Sequence, residues 1–475
     1  MKTALSFRSA SIALLAALFL LNIYRAATQS LVHDEAFTWQ LYLTGPFAAL
    51  FSVYDANHHF LSTLLMRLSS WLFGFSELAL RLPSLLAGGW YFVTIFRLAL
   101  LAFGESWLLL LAVALAAGNP LVLDFLVAAR GYSIALACLA YGIYCIAVHL
   151  SRPESGRRPL VRAGLSFGLA VAANLTVLIP VLVVTALLLA IRRAAWKPVL
   201  LPLCAVLLAF FLVSPIRQAR LGNFYYGAST LAESMQVLAA QSLAHNEGLA
   251  GSNRETAWKP WWRTFAILAA GAMTLASIVL EFPVLRGRRK AAPRDWLLLL
   301  ASVTLTGSWA VLIVAHLAAG LLYPGDRTGL YFLPLAGLAI AGLAAVLGEH
   351  PRGRAGATAC AAIGLLIALQ YAVQLNWRYF YVWQYSADTK AILQALAAAK
   401  PAGPIRLGTS WPLDPSLNYY RETRGLTWLP KLARQGPDGD YDYYILIESD
   451  QDRIARYGLH VIYRGAISGT VLAAR

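Results

Sequence analysis

Acidic side chains are scarce in this sequence. Asp and Glu number 23 in 475 residues, against 39 Lys and Arg, and charged residues make up 13% of the chain. Roughly a quarter is usual for a soluble domain, so an ordinary cytosolic protein is excluded. Cysteine is scarce too. Cys138, Cys145, Cys204 and Cys360 all lie inside apolar runs, and none forms a metal-type pair with its neighbour. That leaves no disulfide framework and no thiolate metal site, only small buried side chains. Several soluble chemistries are missing as well. There is no Gly-rich phosphate loop, no dinucleotide fingerprint, no His-Glu-x-x-His and no nucleophile elbow. Neither a tandem repeat nor a low-complexity tract is present.

What is there is apolar. Hydrophobic residues make up 59% of the chain, many in runs of the length, about 20 residues, that crosses a bilayer as a helix. The composition predicts an all-α polytopic membrane protein. The first run, residues 9–24, has no small-residue cleavage pattern after it and reads as a retained anchor. The net charge of +16 falls largely in short loops between runs. It therefore marks topology, not a nucleic-acid partner.

Lys2 and Arg8 place the N-terminus in the cytoplasm, and residues 31–81 then form a first outer loop. Further spans are expected at 82–103, 107–126, 130–150, 163–173, 175–191, 198–214, 264–280, 296–317, 329–347 and 355–375. Gly118-Asn119-Pro120 breaks one of them. The strongly basic short segments, 151–162, 192–197, 286–294 and 352–354, all fall on one side of this path, which gives about eleven spans. A long outer loop covers 215–262. Within the first outer loop, residues 35–43 and 60–73 read as amphipathic helices on the membrane surface, with Trp39 and Trp71 at headgroup level. After a transmembrane domain of residues 1–375, Pro, Gly and charge rise. Residues 376–475 then read as a small outer α/β domain, with a helix at 387–400 and strands at 405–409, 443–448 and 459–463.

The candidate chemistry lies in the outer segments. Asp34-Glu35 opens the first loop helix, where a carboxylate is costly without water or a partner. Asp34 reads as a helix N-cap or as a catalytic base, which are compatible roles. Asn57-His58-His59 follows. This His pair could join a divalent metal, with His58 the candidate ligand, bind phosphate as imidazolium, or lie at the interface. Arg81, Arg130 and Arg327 each stand at the outer end of a span. They could converge on a phosphate or reach for headgroups.

These motifs carry a resemblance. His33-Asp34-Glu35-Ala36, Asn57-His58-His59-Phe60-Leu61-Ser62-Thr63-Leu64-Leu65 and Leu80-Arg81-Leu82-Pro83-Ser84 resemble the first outer loop of GT-C glycosyltransferases, in the bacterial protein O-mannosyltransferase and aminoarabinose transferase branch. Ala129-Arg130-Gly131-Tyr132 and Tyr323-Pro324-Gly325-Asp326-Arg327-Thr328 are similar to later motifs of that family. The resemblance covers most of residues 8–375. It implies a polyprenyl-phosphate sugar donor, a lipid, glycan or protein acceptor, and Asp34 as base with Glu35 assisting. It also implies a bacterial inner-membrane location with the site and the C-terminal domain in the periplasm. On that analogy Arg130, Arg327, Arg81 and Tyr132 serve the donor phosphate, and Asn57, His58 and His59 the substrate or a metal. His58-His59 stands where relatives often carry a Pro pair. The alternatives are a ligase or polymerase of lipid-linked glycans, and a lipid-sugar transporter, for which the inverted repeats and midplane charges are missing.

Overall fold

The fold follows from these apolar runs. In the computed structural model, the described residues are 6–220, 222, 226–243, 271, 275–277, 279–280, 291–400, 403–434 and 436–475. The helices used below are α1 (Phe7–Thr28), α2 (His33–Thr38), α3 (Phe60–Phe73), α4 (Glu77–Phe103), α5 (Trp107–Ala117), α6 (Pro120–Val127), α7 (Tyr132–Ser151), α8 (Arg158–Ala173), α9 (Leu178–Ile191), α10 (Trp196–Val213), α11 (Leu231–Leu243), α12 (Pro293–Ala319), α13 (Phe332–Gly348), α14 (Arg354–Val373), α15 (Thr389–Ala399), α16 (Asp414–Thr423) and α17 (Asp452–Tyr457). Among the described residues six helices are long and apolar enough to cross a membrane, or seven with α5 and α6 counted as one bent span. The chain is a multi-pass membrane protein. Helices α8, α9 and α13 are shorter than those six, at 16, 14 and 17 residues. Most of the span expected at 264–280, and residues 244–262 of the long loop, lie outside the described residues.

Local chemistry sets the break between α5 and α6. Asn119 caps α6 by accepting from the Leu121 and Val122 N–H groups at 3.0 and 3.1 Å, and Pro120 sits in the first turn, where its missing N–H costs nothing. The two helices meet at 61°. Tight helix packing uses small residues, as membrane interiors favour. A Cβ at Gly164 would stand 2.2 Å from the Val199 carbonyl oxygen, so only glycine lets α8 and α10 approach this closely.

In the first outer loop, α2 runs into a single π-helical turn, Trp39–Leu43, and α3 has the expected bounds. Trp71 is exposed, but Trp39 is not. It is 1% exposed, with its ring edge-on to Tyr419 at 5.1 Å and to Phe75 at 6.0 Å. The expectation for Trp39 failed because its partner, Tyr419, lies far along the chain in the C-terminal domain.

That domain is a four-stranded sheet of β1 (Leu407–Thr409), β2 (Tyr443–Leu446), β3 (His460–Arg464) and β4 (Val471–Ala474), ordered β1-β2-β4-β3. Strands β1 and β2 are parallel, and β4 is antiparallel to both its neighbours. It does not stand apart from the bundle. Leu413, Leu417 and Tyr420 share one apolar core with Leu31, Ala36, Tyr42 and Leu80. The Leu31 N–H donates to the Tyr420 hydroxyl at 2.9 Å, and that hydroxyl donates to Glu77 at 3.0 Å. The linker before the domain is pinned too. The Tyr381 N–H donates to Asp124 at 2.7 Å, and Asp124 also pairs with Arg25 inside the bundle.

Candidate functional site

Helix α2 is capped by Glu35, not by Asp34. Val32 precedes the helix, and its N–H donates to Glu35 Oε2 at 3.0 Å. Arg81 meets the same carboxylate through Nε (2.9 Å) and Nη2 (2.6 Å), and the Ala129 N–H donates to Oε1 at 2.6 Å. The remaining Arg81 N–H groups go to the carbonyl oxygens of Ala26, Gln29 and Ser30, at 3.2, 2.9 and 2.8 Å. All five guanidinium donors are therefore used. Both side chains are fully buried. Arg81 was expected at a donor phosphate and Glu35 beside the base; here every Arg81 donor is engaged within the protein, and Glu35 fastens three segments together.

Asp34, one residue earlier, is held differently. Its carboxylate oxygen Oδ2 lies 3.7 Å from Arg130 Nη2 and 3.8 Å from Arg327 Nη2. Both are beyond hydrogen-bond reach, and Oδ2 is buried with no hydrogen-bond partner. Burial alone would raise the carboxyl's pKa. The charges of Arg130 and Arg327 outweigh it and hold Asp34 below the ordinary carboxylate range. The result is an ionised oxygen with nothing attached to it.

Each neighbour is set by its own local structure. Thr38 donates to the Asp34 carbonyl at 2.9 Å, and Asn57 Nδ2 donates to that carbonyl and to Thr38, both at 3.0 Å. Arg130 Nη1 donates to the Asn57 carbonyl at 3.1 Å. Asn57 thus ties the loop to both Asp34 and Arg130. Arg130 lies in the non-helical break between α6 and α7. Gly131 lets the start of α7 lie against the end of α8 and His59, because a Cβ there would fall 1.9 Å from the Ala173 carbonyl oxygen and 2.9 Å from His59 Cβ. Arg327 follows Asp326, which has φ 36° and pairs with the Tyr226 hydroxyl, while the Arg327 guanidinium covers the Tyr226 ring at 4.3 Å.

The His pair is buried and uncharged. His58 stacks on Tyr42 at 4.0 Å, and burial pushes its pKa down to about 4. Burial, helped by the Arg130 charge, carries His59 well below the usual histidine range, and its ring sits edge-on to Tyr132 at 5.2 Å. Burial thus disfavours the imidazolium form of both rings, and with it phosphate binding by either. Their Nε2 atoms are unpartnered. Even so, among the described residues no three His, Cys, Asp or Glu side chains gather to hold a metal.

Residues 57–217 match the family model described as dolichyl-phosphate-mannose-protein mannosyltransferase. That stretch is about a third of the chain. The matched third holds Asn57, His58, His59, Arg81, Arg130 and Tyr132, and leaves Asp34 and Arg327 outside it. Among solved structures, ArnT from Cupriavidus metallidurans bound to undecaprenyl phosphate is 15% identical, with 98% of each chain covered and a TM-score of 0.47. AglB, the oligosaccharyltransferase of Archaeoglobus fulgidus, in complex with an inhibitory peptide and a dolichol phosphate, is 14% identical. That match covers 91% of this chain and 61% of AglB, with a TM-score of 0.41. The Archaeoglobus fulgidus oligosaccharyltransferase in complex with Zn and sulfate is 12% identical, covering 97% and 72%, at the same TM-score of 0.41. No curated protein sequence matches the chain.

The C-terminal half adds residues to the surroundings of Asp34 that the sequence did not single out. Tyr385, just before the C-terminal domain, is buried close enough to Asp34 and Arg327 to feel their charges, and burial raises its hydroxyl's pKa. Arg434 and Pro412 reach His33, the residue before Asp34. No motif announces them, because their role depends on how the domain docks.

Proposed function

We propose that the chain moves a sugar from a polyprenyl-phosphate carrier to an acceptor on the outer face of a bacterial inner membrane. Asp34 is the general base, and the configuration at the sugar inverts. The observation that carries this reading is the bare, ionised Asp34 Oδ2 held between Arg130 and Arg327. The family description, which names a dolichyl-phosphate-linked sugar, supports the donor class. The basic loops on the opposite side of the path support the orientation and put the C-terminal domain in the periplasm.

The chemistry needs only these groups. Neither guanidinium hydrogen-bonds to Asp34, so the Nη2 groups of Arg130 and Arg327 can turn onto the phosphate of an arriving lipid while Arg130 Nη1 stays on the Asn57 carbonyl. As they do, Asp34 loses the charges that keep its proton affinity low, and it becomes a better base once donor is present. The acceptor's hydroxyl or amine proton passes to Asp34 Oδ2. The acceptor atom bonds to the anomeric carbon from the face opposite the phosphate. The carbon–oxygen bond to the phosphate breaks, and its electron pair leaves on the lipid phosphate beside Arg130 and Arg327. A glycosidase needs a second carboxyl to protonate an alkoxide. A phosphate leaves without one, so a single positioned acid is enough.

The test is mass spectrometry of lipids and glycans from cells with and without the gene. A glycosylated species is expected to vanish without it and to return with the wild-type chain. With Asp34→Asn its formation is expected to be slower by about 10²-fold or more. Full restoration by Asp34→Asn would sink the reading.

A further inference from the structure

We propose that the C-terminal domain is a working part of the site, and that Arg434 is a positioning residue which acts on Asp34 through His33. The inference rests on Asp34 being the base.

His33 begins α2, one residue before Asp34, and both its ring nitrogens are met by the C-terminal domain. Nδ1 lies 2.7 Å from the Pro412 carbonyl oxygen, and Nε2 lies 2.9 Å from Arg434 Nη2. A carbonyl can only accept and a guanidinium can only donate. One state of the ring satisfies both: neutral, with its hydrogen on Nδ1 and a lone pair on Nε2. Protonation would set a ring N–H against the guanidinium. The ring is also fixed sideways, edge-on to Trp411 at 5.4 Å and parallel to Phe37 at 6.3 Å. Arg434 lies over Phe37 at 4.7 Å and over Trp411 at 5.5 Å. Since His33 and Phe37 share one face of α2, four residues apart, Arg434 grips the helix at both ends of the turn that presents Asp34.

The grip is built with backbone strain. Arg434 has φ 58°, a left-handed conformation that side chains other than glycine rarely adopt. Its N–H donates to Asp414 Oδ2 at 2.9 Å, and Asp414 also takes the Thr409 hydroxyl at the end of β1. Among the described residues one other non-glycine has positive φ, Asp326, the residue before Arg327. Such strain persists where surrounding structure enforces it, and it clusters at functional sites. Here both strained positions deliver a cation to the surroundings of Asp34.

The test uses the intact chain in detergent, with its histidine rings labelled with 15N for NMR. The His33 signal is the one lost in His33→Gln. It is expected to report the neutral Nδ1–H form, with a titration midpoint below the ordinary 6.5. Arg434→Met is expected to raise that midpoint and to mix the two tautomers, and Arg434→Lys to retain most of the wild-type signal. In cells, the product that depends on Asp34 is expected to fall about tenfold with Arg434→Met, in line with a sub-ångström misplacement of a reacting group. Arg434→Lys is expected to recover most of it. An unchanged His33 signal in Arg434→Met overturns the proposal. So does a full product yield from Arg434→Met while Asp34→Asn abolishes it, a result that leaves the catalytic reading standing. If Asp34→Asn forms product normally, the catalytic reading falls, and with it any effect of Arg434 on a reaction.

Discussion

Asp34 and Glu35 are neighbours in sequence, both buried and both beside arginine, yet they live under opposite rules. Glu35 accepts four hydrogen bonds, and the Arg81 that meets it spends every donor. Asp34 has an oxygen with no hydrogen bond and two guanidiniums held just out of reach. A closed pair of the first kind can only hold structure in place. An open cluster of the second kind carries an unmet demand for protons and anions. The difference lies in partner count and distance, not in charge or burial, and it separates structure from chemistry within one helical turn.

The largest effects should come from exchanging one acid for its amide. Glu35→Gln leaves Arg81 buried without a counter-charge, which costs about 3–5 kcal/mol. The folded protein recovered from membranes should fall sharply. Asp34→Asn should instead leave the amount and the melting temperature of the protein near wild type, while transfer drops. Quantitative immunoblotting beside the product assay separates the two. If Glu35→Gln folds normally but fails to transfer, or if Asp34→Asn fails to accumulate, the contrast is wrong.

Much of this contrast could be read in the residues, and much could not. Local signals sufficed for α3, for the Gly118-Asn119-Pro120 break and for most apolar helices, because hydropathy, caps and breakers act over a few residues. Arg130 and Arg327 could be placed near Asp34 because the expected span order puts all three at span ends on one side of the path. Arg81 has the same signature, and nothing in the sequence tells that Glu35 and three carbonyl groups use up its donors. The Arg25–Asp124 pair joins two helices 99 positions apart, and the burial of Trp39 and the reach of Arg434 depend on the docking of a domain hundreds of positions away. Strand β4 escaped because its four residues, Val471–Ala474, are too short a run to stand out until β2 and β3 flank it.

The next effect sharpens the open cluster. Arg130→Gln or Arg327→Gln should lower turnover roughly tenfold to a hundredfold by removing a donor to the leaving phosphate. Each should also change the pH profile. Arg130 and Arg327 are the leading cations that hold Asp34's carboxyl below its ordinary value of 3.8. Losing one lets the pKa rise, so the acid limb of transfer moves to higher pH, since the base must be ionised to act. An acid limb that stays where it is in both variants would break the link between these arginines and Asp34.

The smallest effect concerns stability near the site, at the neutral histidines. His58 titrates at about 4 in the folded chain, against an ordinary 6.5. Between those values the unfolded chain binds the proton more readily, so stability is full above about pH 6.5 and is lost as pH falls toward 4. The loss from His58 alone should reach about 1–2 kcal/mol by pH 5. His59, also held below the usual range, acts in the same direction. Melting temperatures of the purified chain in detergent at pH 7.5 and pH 5 should differ less for His58→Phe, which keeps an aromatic ring against Tyr42 but cannot take a proton. An equal difference in both proteins would mean that His58 ionises freely where it sits, and the imidazolium option for the phosphate would return.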